Sequence, residues 1–336
     1  MGRRGLCRRV TQRRLYFSNA RRGLHVVEHS PTILVVGGAN TDYLVRGRSL
    51  PKPGETVQGD EFIEAPGGKG VNQAVAAARL GAIASLVARV GRDERGAAII
   101  AALRDEGVDA GLVFRDEEAM TGVALIQVDD AGEKAILTAA GANRQVSTAD
   151  IDAAADALKL TKVLLLQLEI ALESTMAAAA RTHRAGGMVI LDAGPATPVP
   201  DDFLRETNVV RANAAEAGAL TGIPVHDRAS AHRAAEDLLR RGVELAAVQA
   251  GSEGNLLVWR EGEVWLSKVA VAAVDATGAG DAFAAGLAVS LAEGRPVEEA
   301  GRFANAAAAL ATTVLGAQAG LPRRGAVEAL LRDLDG

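Results

Sequence analysis

Cysteine is nearly absent from this chain of 336 residues. Cys7 stands alone, which excludes an internal disulfide and a cysteine-based zinc site. Aromatic residues make up only 3%, with two Trp and two Tyr, too few for the stacking platform of a single-strand nucleic-acid binder. No stretch reaches 18 apolar residues, so no hydrophobic membrane span is expected. Acidic residues are missing from positions 1–27, where eight arginines stand. Without that head, 29 of the 37 basic residues face all 42 acidic ones, and the net charge falls from −5 to −13. Such a body is a poor general binder of nucleic acid.

The basic head lacks the apolar core of a secretory signal. It reads either as an organelle transit peptide or as a disordered tail, and residues 1–30 are therefore kept apart from the fold. The tail reading goes with a cytoplasmic protein. The whole chain is 49% hydrophobic and 24% charged, which is globular composition.

Along the body, Thr32–Val36 is a buried-strand run that opens into Gly37-Gly38. An Ala-rich helix is expected from Gly67 to about Leu80, a strand over Ser85–Val90, and a helix from Asp93 to about Glu106. Beyond residue 160, strands near 163–168, 188–191, 208–211 and 245–249 alternate with helices near 173–185, 214–220 and 230–241. A hairpin covers 255–266, and helices start near Gly280, Val297 and Arg324. This alternation predicts an α/β fold, a largely parallel central sheet with helices on both faces. The strand-like pieces within 43–64 and 113–140 fall outside the alternation. They are expected to form a small separate β-sheet serving as a lid.

Three glycine-rich segments carry chemistry. In Asp275-Ala-Thr-Gly-Ala-Gly-Asp281-Ala-Phe, the glycines let successive N–H groups point one way at the start of a helix, which suits an anion. Asp281 at that helix start is either a base for a substrate hydroxyl or an ordinary capping carboxylate. Pro66-Gly-Gly-Lys-Gly-Val-Asn72-Gln73 lacks the frame of a nucleotide P-loop, with Val71 where a hydroxyl residue belongs. It is either a polyol-binding turn or a plain helix start. Gly37-Gly38-Ala39-Asn40-Thr41-Asp42 lacks the dinucleotide fingerprint, so a dehydrogenase is disfavoured. Asn40 and Asp42 suit vicinal hydroxyls or a bland turn. Asn213 and Glu216 have capping-box spacing, and Glu216 also suits Mg²⁺ held through water. Glu169 ends an apolar strand, where ligands bind in open α/β sheets. Gly251-Ser-Glu-Gly254 reads first as a hairpin turn.

Taken in order, GGANTD, PGET, GGKGVNQAVAAARLGA, TGVALI, AGAN, LLQLE, LDAGPA, NAAE, AGSEG, DATGAGDAF and GAQ make the chain resemble the ribokinase family of carbohydrate kinases from about Val35 to Pro322. The resemblance implies the family's three-layer fold with a β lid, across residues 31–336, and lids that pair into a homodimer. It implies ATP-dependent phosphorylation of ribose at O5, with Asp281 as base and Gly278, Ala279 and Gly280 as the anion hole. By the same resemblance Asn40, Asp42, Gly68, Lys69, Asn72 and Glu169 hold the sugar. Asn213, Gln249, Gly251, Ser252, Glu253, Gly254, Gly280 and Asn305 serve the nucleotide, and Glu216 serves Mg²⁺. An activating K⁺ is implied beside Asp275, Thr277, Ala311, Val314, Gly316 and Gly320. A kinase of deoxyribose, of another sugar or of a nucleoside is the neighbouring alternative, and a non-catalytic sugar sensor a more distant one.

Four departures from the family pattern stand out. Arg211-Ala212 precede Asn213 where Thr-Pro is frequent, and Gln249 replaces a frequent Thr. Gly320 stands where a Ser often helps bind the cation, and Ala276 replaces the usual Thr. The Gly320 change is expected to weaken K⁺ dependence.

Overall fold

The structure, a computed structural model, describes residues 30–251 and 253–335. The Arg-rich head up to residue 29 and Ser252 thus lie outside the described residues. The strands are β1 (Thr32–Val36), β2 (Asn40–Gly47), β3 (Gly59–Gly67), β4 (Ile83–Gly91), β5 (Asp109–Asp116), β6 (Gly122–Val128), β7 (Lys134–Ala139), β8 (Val163–Leu166), β9 (Met188–Asp192), β10 (Val209–Ala212), β11 (Leu245–Ala250), β12 (Gly254–Trp259) and β13 (Gly262–Ser267).

The main sheet runs β13-β12-β11-β10-β9-β8-β1-β4-β5. From β11 to β5 every pairing is parallel, and β12 and β13 add an antiparallel hairpin at one edge. Continuous apolar strands such as Val163–Leu166 are buried along their whole length, because helices cover both faces. Strand alternation divides the core in two. Ile33, Val35, Val163 and Leu165 pack on one face with the helices Lys69–Arg79, Ala279–Ala292 and Val297–Ala311. Leu34, Val36, Leu164 and Leu166 pack on the other, with the helices Leu172–Arg184 and Arg228–Arg240.

The second sheet, β3-β2-β6-β7, is the lid. β2 pairs in parallel with β6, and each is flanked by an antiparallel partner. The expectation for 113–140 needs one correction. β5, which includes residues 113–116, pairs with β4 at the edge of the main sheet, and only β6 and β7 belong to the lid. Asp109-Ala-Gly-Leu-Val-Phe-Arg-Asp is charged at its ends and only partly buried, as edge strands are, and it therefore reads like an exposed lid strand. Short helices at Thr148–Ala153, Ala155–Leu160 and Asp201–Arg205 were not expected. No helix among the described residues is long and apolar enough to cross a membrane.

Candidate active site

The chemistry collects at the C-terminal ends of β1, β8, β9, β10 and β11, under the lid. Gly278, with φ of 81°, turns the chain into the helix Ala279–Ala292, so Ala279, Gly280 and Asp281 form its first turn. First-turn N–H groups have no intrahelical acceptor and carry the positive end of the helix dipole. Among them the Ala279 N–H turns back weakly to the Ala276 carbonyl at 3.3 Å.

Asp281 is 5% exposed and makes a network of contacts. Its Oδ2 accepts from Asn72 Nδ2 at 2.9 Å and its Oδ1 from Gln73 Nε2 at 3.1 Å, with Lys69 Nζ at 3.6 Å. It is therefore aimed by side chains from the facing helix, not turned back onto its own helix as a cap. Gln73 also donates to Asp192 Oδ2 at 2.9 Å and accepts from Gln167 Nε2. Asn72 Oδ1 and Gln167 Oε1 are buried without partners, and Gln167 Oε1 lies against Gly37.

Lys69 Nζ bridges Asp192 Oδ2, at 2.8 Å, and Asp281. Burial opposes its charge, but the fields of Asp192 and Asp281 win and hold the ammonium above the ordinary lysine value. Burial would raise Asp192 too; Lys69 and Arg211 reverse that and keep it ionised. Arg211 Nη1 lies 2.9 Å from Asp192 Oδ1 and 3.6 Å from Glu216 Oε2. Asp281, Lys69, Asp192, Arg211 and Glu216 thus form a line of alternating charge. Asp192 and Arg211 are register partners on β9 and β10, which sets that contact.

Across the cleft, Asp42 on β2 lies against Gly67, where a Cβ would overlap its carboxylate. Glu169 lies against Gly38 in the same way, and its Oε2 accepts the Lys69 N–H at 2.8 Å. Burial, then repulsion from Glu169 and Asp281, pushes Asp42 up to about 7. Burial pushes Glu169 up to about 7 as well, against the field of Lys69. Asn40 Oδ1 accepts from Asn143 Nδ2 at 2.8 Å, while Asn143 Oδ1 accepts the Ala39 N–H. Gly68 has φ of 87°, and a Cβ there would meet Asn40 N and Gly38 O at 2.8 Å. Asn40, Asp42, Gly68, Lys69, Asn72, Glu169 and Asp281 therefore converge on one cleft.

The expected nucleotide residues are more dispersed. Asn213 and Glu216 form a reciprocal capping box at 2.9 and 2.8 Å, the bland role, with Glu216 Oε1 outside it. Gln249 accepts weakly from Arg211 Nη2 at 3.5 Å. Gly251, Glu253 and Gly254 make the β11–β12 turn, as their default reading had it. Asn305 spends its amide on Asn255 and the Ser267 carbonyl, bracing the hairpin.

Around the expected cation, Asp275 Oδ1 accepts from Thr277 N and Oγ1, and Oδ2 accepts from Gly316 N at 2.9 Å. A Cβ on Gly320 would overlap the Ala311 carbonyl oxygen, so a serine does not fit there without movement. Val314 is exposed beside them.

Sequence reasoning did not single out Gln73, Asn143, Gln167 and Asp192, which the structure ties into the hydrogen-bond network of the cleft. Polar side chains at the ends of apolar strands were the available signal for Gln167 and Asp192. It also missed Lys134, the residue opposite Val128 and hence on the cleft side of the lid. Lys134 is exposed, yet partial desolvation lowers its ammonium against the fields of Asp275 and Asp281.

The pattern for the pfkB family of carbohydrate kinases matches residues 30–324. The chain belongs to that family. This pfkB-family kinase is 37% identical over 294 residues to the ribokinase of Haemophilus influenzae, covering 87% of this chain and 96% of that one. It is 34% identical to a deoxyribokinase of Salmonella typhimurium, with 86% and 95% covered. Its fold matches the Arabidopsis thaliana ribokinase solved with ribose and ATP at a TM-score of 0.81 and 34% identity, covering 90% and 99%.

Proposed function

We propose that this carbohydrate kinase phosphorylates D-ribose at O5 with ATP. The observation that carries the reading is the Asp281 carboxylate, held by Asn72, Gln73 and Lys69 at the first turn of a helix entered through a glycine turn. In the reaction Asp281 accepts the hydroxyl proton as the sugar O5 attacks the γ-phosphorus of ATP and the bond from that phosphorus to the bridging oxygen breaks, releasing ADP. The Gly278–Gly280 amides and the helix dipole take the charge that develops on the transferred phosphoryl group. Asn40, Asp42, Asn72 and Glu169 grip the sugar hydroxyls, and lid closure excludes water.

Glu216 is the residue that would hold Mg²⁺ through water; the ion would neutralise triphosphate charge. The donor set suits that indirect mode. Among the described residues no cluster of three His, Cys, Asp or Glu could ligate a metal directly, and Glu216 Oε1 stands outside the capping box. An activating K⁺ would rest on carbonyls near Ala311 and Gly316, and its effect is expected to be small. A cytoplasmic location accompanies this metabolic role.

We further propose a homodimer through the lids. Tyr43, Val45, Phe62, Leu125 and Leu137 lie on the lid face turned away from the body; Phe62 is 62% and Leu137 71% exposed. They line or adjoin a groove of about 440 Å³. Sedimentation should give a dimer that Phe62→Glu with Leu125→Glu converts to monomer.

The neighbouring reading, a deoxyribose kinase, is favoured by the deoxyribokinase relative at 34% identity. ADP release with ATP, Mg²⁺ and K⁺ across ribose, 2-deoxyribose, arabinose, xylose, fructose and adenosine tests both. A strong ribose preference is expected, because a site built to bond a hydroxyl rejects the sugar that lacks it. Equal or better use of deoxyribose moves the substrate, and silence on the whole panel overturns the kinase reading.

A further inference from the structure

Two of the four departures from the family pattern meet in space. Arg211 stands where a threonine is frequent, and its guanidinium reaches Gln249, which also replaces a threonine. The Arg211 side chain is 8% exposed. Asp192 and Glu216 flank Nη1, and Gln249 lies at a long 3.5 Å from Nη2. Nε is buried with no hydrogen-bond partner. Nε is sealed, so the two Nη groups are the donors that stand beside the helix turn.

What lies beside it is the anion hole. A Cβ built on Gly280 would come within 2.7 Å of Arg211 Nη1 and 3.0 Å of Nη2, so the guanidinium rests against the backbone of the first helical turn. An anion seated on the amides of that turn meets a planar cation whose fork suits phosphate oxygens. The same cation neutralises Asp192 and Glu216, which would otherwise repel a triphosphate.

We propose that Arg211, held by Asp192 and touched by Gln249, is an additional phosphate-binding cation that reads the terminal phosphoryl group of the nucleoside triphosphate. The inference rests on the kinase reading. Arg211 supplies positive charge that stays in place when the nucleotide leaves, and it acts on the group being transferred. The terminal phosphoryl is the feature that separates ATP from ADP, so Arg211 sets the preference between them. Gln249 is a secondary positioning residue, because it acts only through its long contact with the guanidinium that Asp192 holds.

The test is calorimetric binding of ATP and of ADP to the full chain, without sugar and with EDTA, alongside ribose binding and thermal unfolding. Arg211→Gln is expected to weaken ATP roughly ten- to a hundredfold, the range of a lost charge-assisted contact, while ADP and ribose change little. Arg211→Lys keeps the charge but loses the fork and should fall between wild type and Arg211→Gln. Gln249→Thr should weaken ATP less than Arg211→Gln and in the same direction. Should Arg211→Gln not fold, the paired variant Arg211→Thr/Gln249→Thr restores the frequent residues and takes its place. Equal loss of ATP and ADP, or no loss of either, overturns the proposal. The kinase reading fails separately, if unaltered protein releases no ADP with any sugar of the panel.

Discussion

The body and the lid are both β-sheets, yet they are built on opposite terms. The body buries its sheet on both faces under two large apolar cores. The lid buries one face only, on Leu44, Ala124, Ile126 and Val128, with Ile63 and Leu315 packed beside them. Its other face is exposed and apolar. The body thus supplies fixed groups, while the lid supplies groups that local opening can withdraw. The proposed sugar site draws on both, because Asp42 comes from the lid and Glu169 and Asp281 from the body.

The largest effect should come from the fixed side. Asp281→Asn removes the proposed base but keeps most of the shape and the Asn72 and Gln73 neighbourhood. Turnover is expected to fall by roughly 10²–10⁴-fold, the span of general-base catalysis, while ribose binding measured by calorimetry persists. An Asp281→Asn enzyme with ordinary kcat would show that the body does not carry the chemistry.

Packing comes next. Leu165→Ala in β8 should cost about 2–5 kcal/mol of global stability, read from denaturant unfolding, because the main core cannot open around a cavity without unfolding. Ile126→Ala deletes similar volume from the lid core. It should barely move the global midpoint but speed hydrogen exchange in β6 and β2 and raise the KM for sugar. If the two variants lower global stability equally, body and lid form one cooperative unit and the contrast fails.

Much of this division is legible in sequence. TILVV and VLLL announce buried parallel strands, and the charged, proline-bearing stretch before Gly67 announces something outside the alternation. The active-site turn is also readable, since Gly278 and Gly280 bracket the entry to a helix. Strand β5 is less so, because an edge strand and a lid strand share the same half-exposed pattern. The line from Asp281 through Lys69, Asp192 and Arg211 to Glu216 is not legible. It depends on β9 and β10 being neighbours in register and on a helix from residue 69 facing one from residue 279. Asn143 is hidden for the same reason, 103 residues from the Asn40 side chain that it holds.

A smaller effect follows from pH. Asp42 and Glu169 ionise near neutrality in the folded chain and near pH 4 when unfolded. Between those values the native state binds more protons than the unfolded state. Stability of the sugar-free protein should therefore fall as pH rises from about 4 to about 7, and be highest, as far as these groups decide it, below that window. Sugar hydroxyls donate to carboxylates, so ribose should bind more tightly as pH rises through about 7 and offset part of the loss. Asp42→Asn should remove the lid's share of this slope and Glu169→Gln the body's. A pH-independent ribose affinity in the unaltered protein would mean that neither carboxylate grips the sugar ionised.

The smallest effect belongs to the seam between the two regions. The segment after the helix Val297–Ala311 sends Leu315 into the lid core, while the Gly316 N–H donates to Asp275, just before the Gly278–Gly280 turn. A cavity of about 80 Å³ separates Asp42, Ile63 and Ile126 of the lid from Gly316–Ala319 of the body. This one turn therefore touches the lid, the proposed sugar site and the expected cation position together. Leu315→Ala should leave global unfolding almost unchanged and loosen the lid, raising the sugar KM severalfold with kcat nearly intact. The Asp275 carboxylate already accepts three hydrogen bonds, and Gly320 has no room for a hydroxyl side chain. K⁺ should accordingly change kcat only slightly in the unaltered enzyme, since those three hydrogen bonds already organise the turn. In Leu315→Ala, where that organisation is weaker, K⁺ should matter more. A strong K⁺ requirement in the unaltered protein that Leu315→Ala does not increase would show that the cation, not the leucine, joins lid to body.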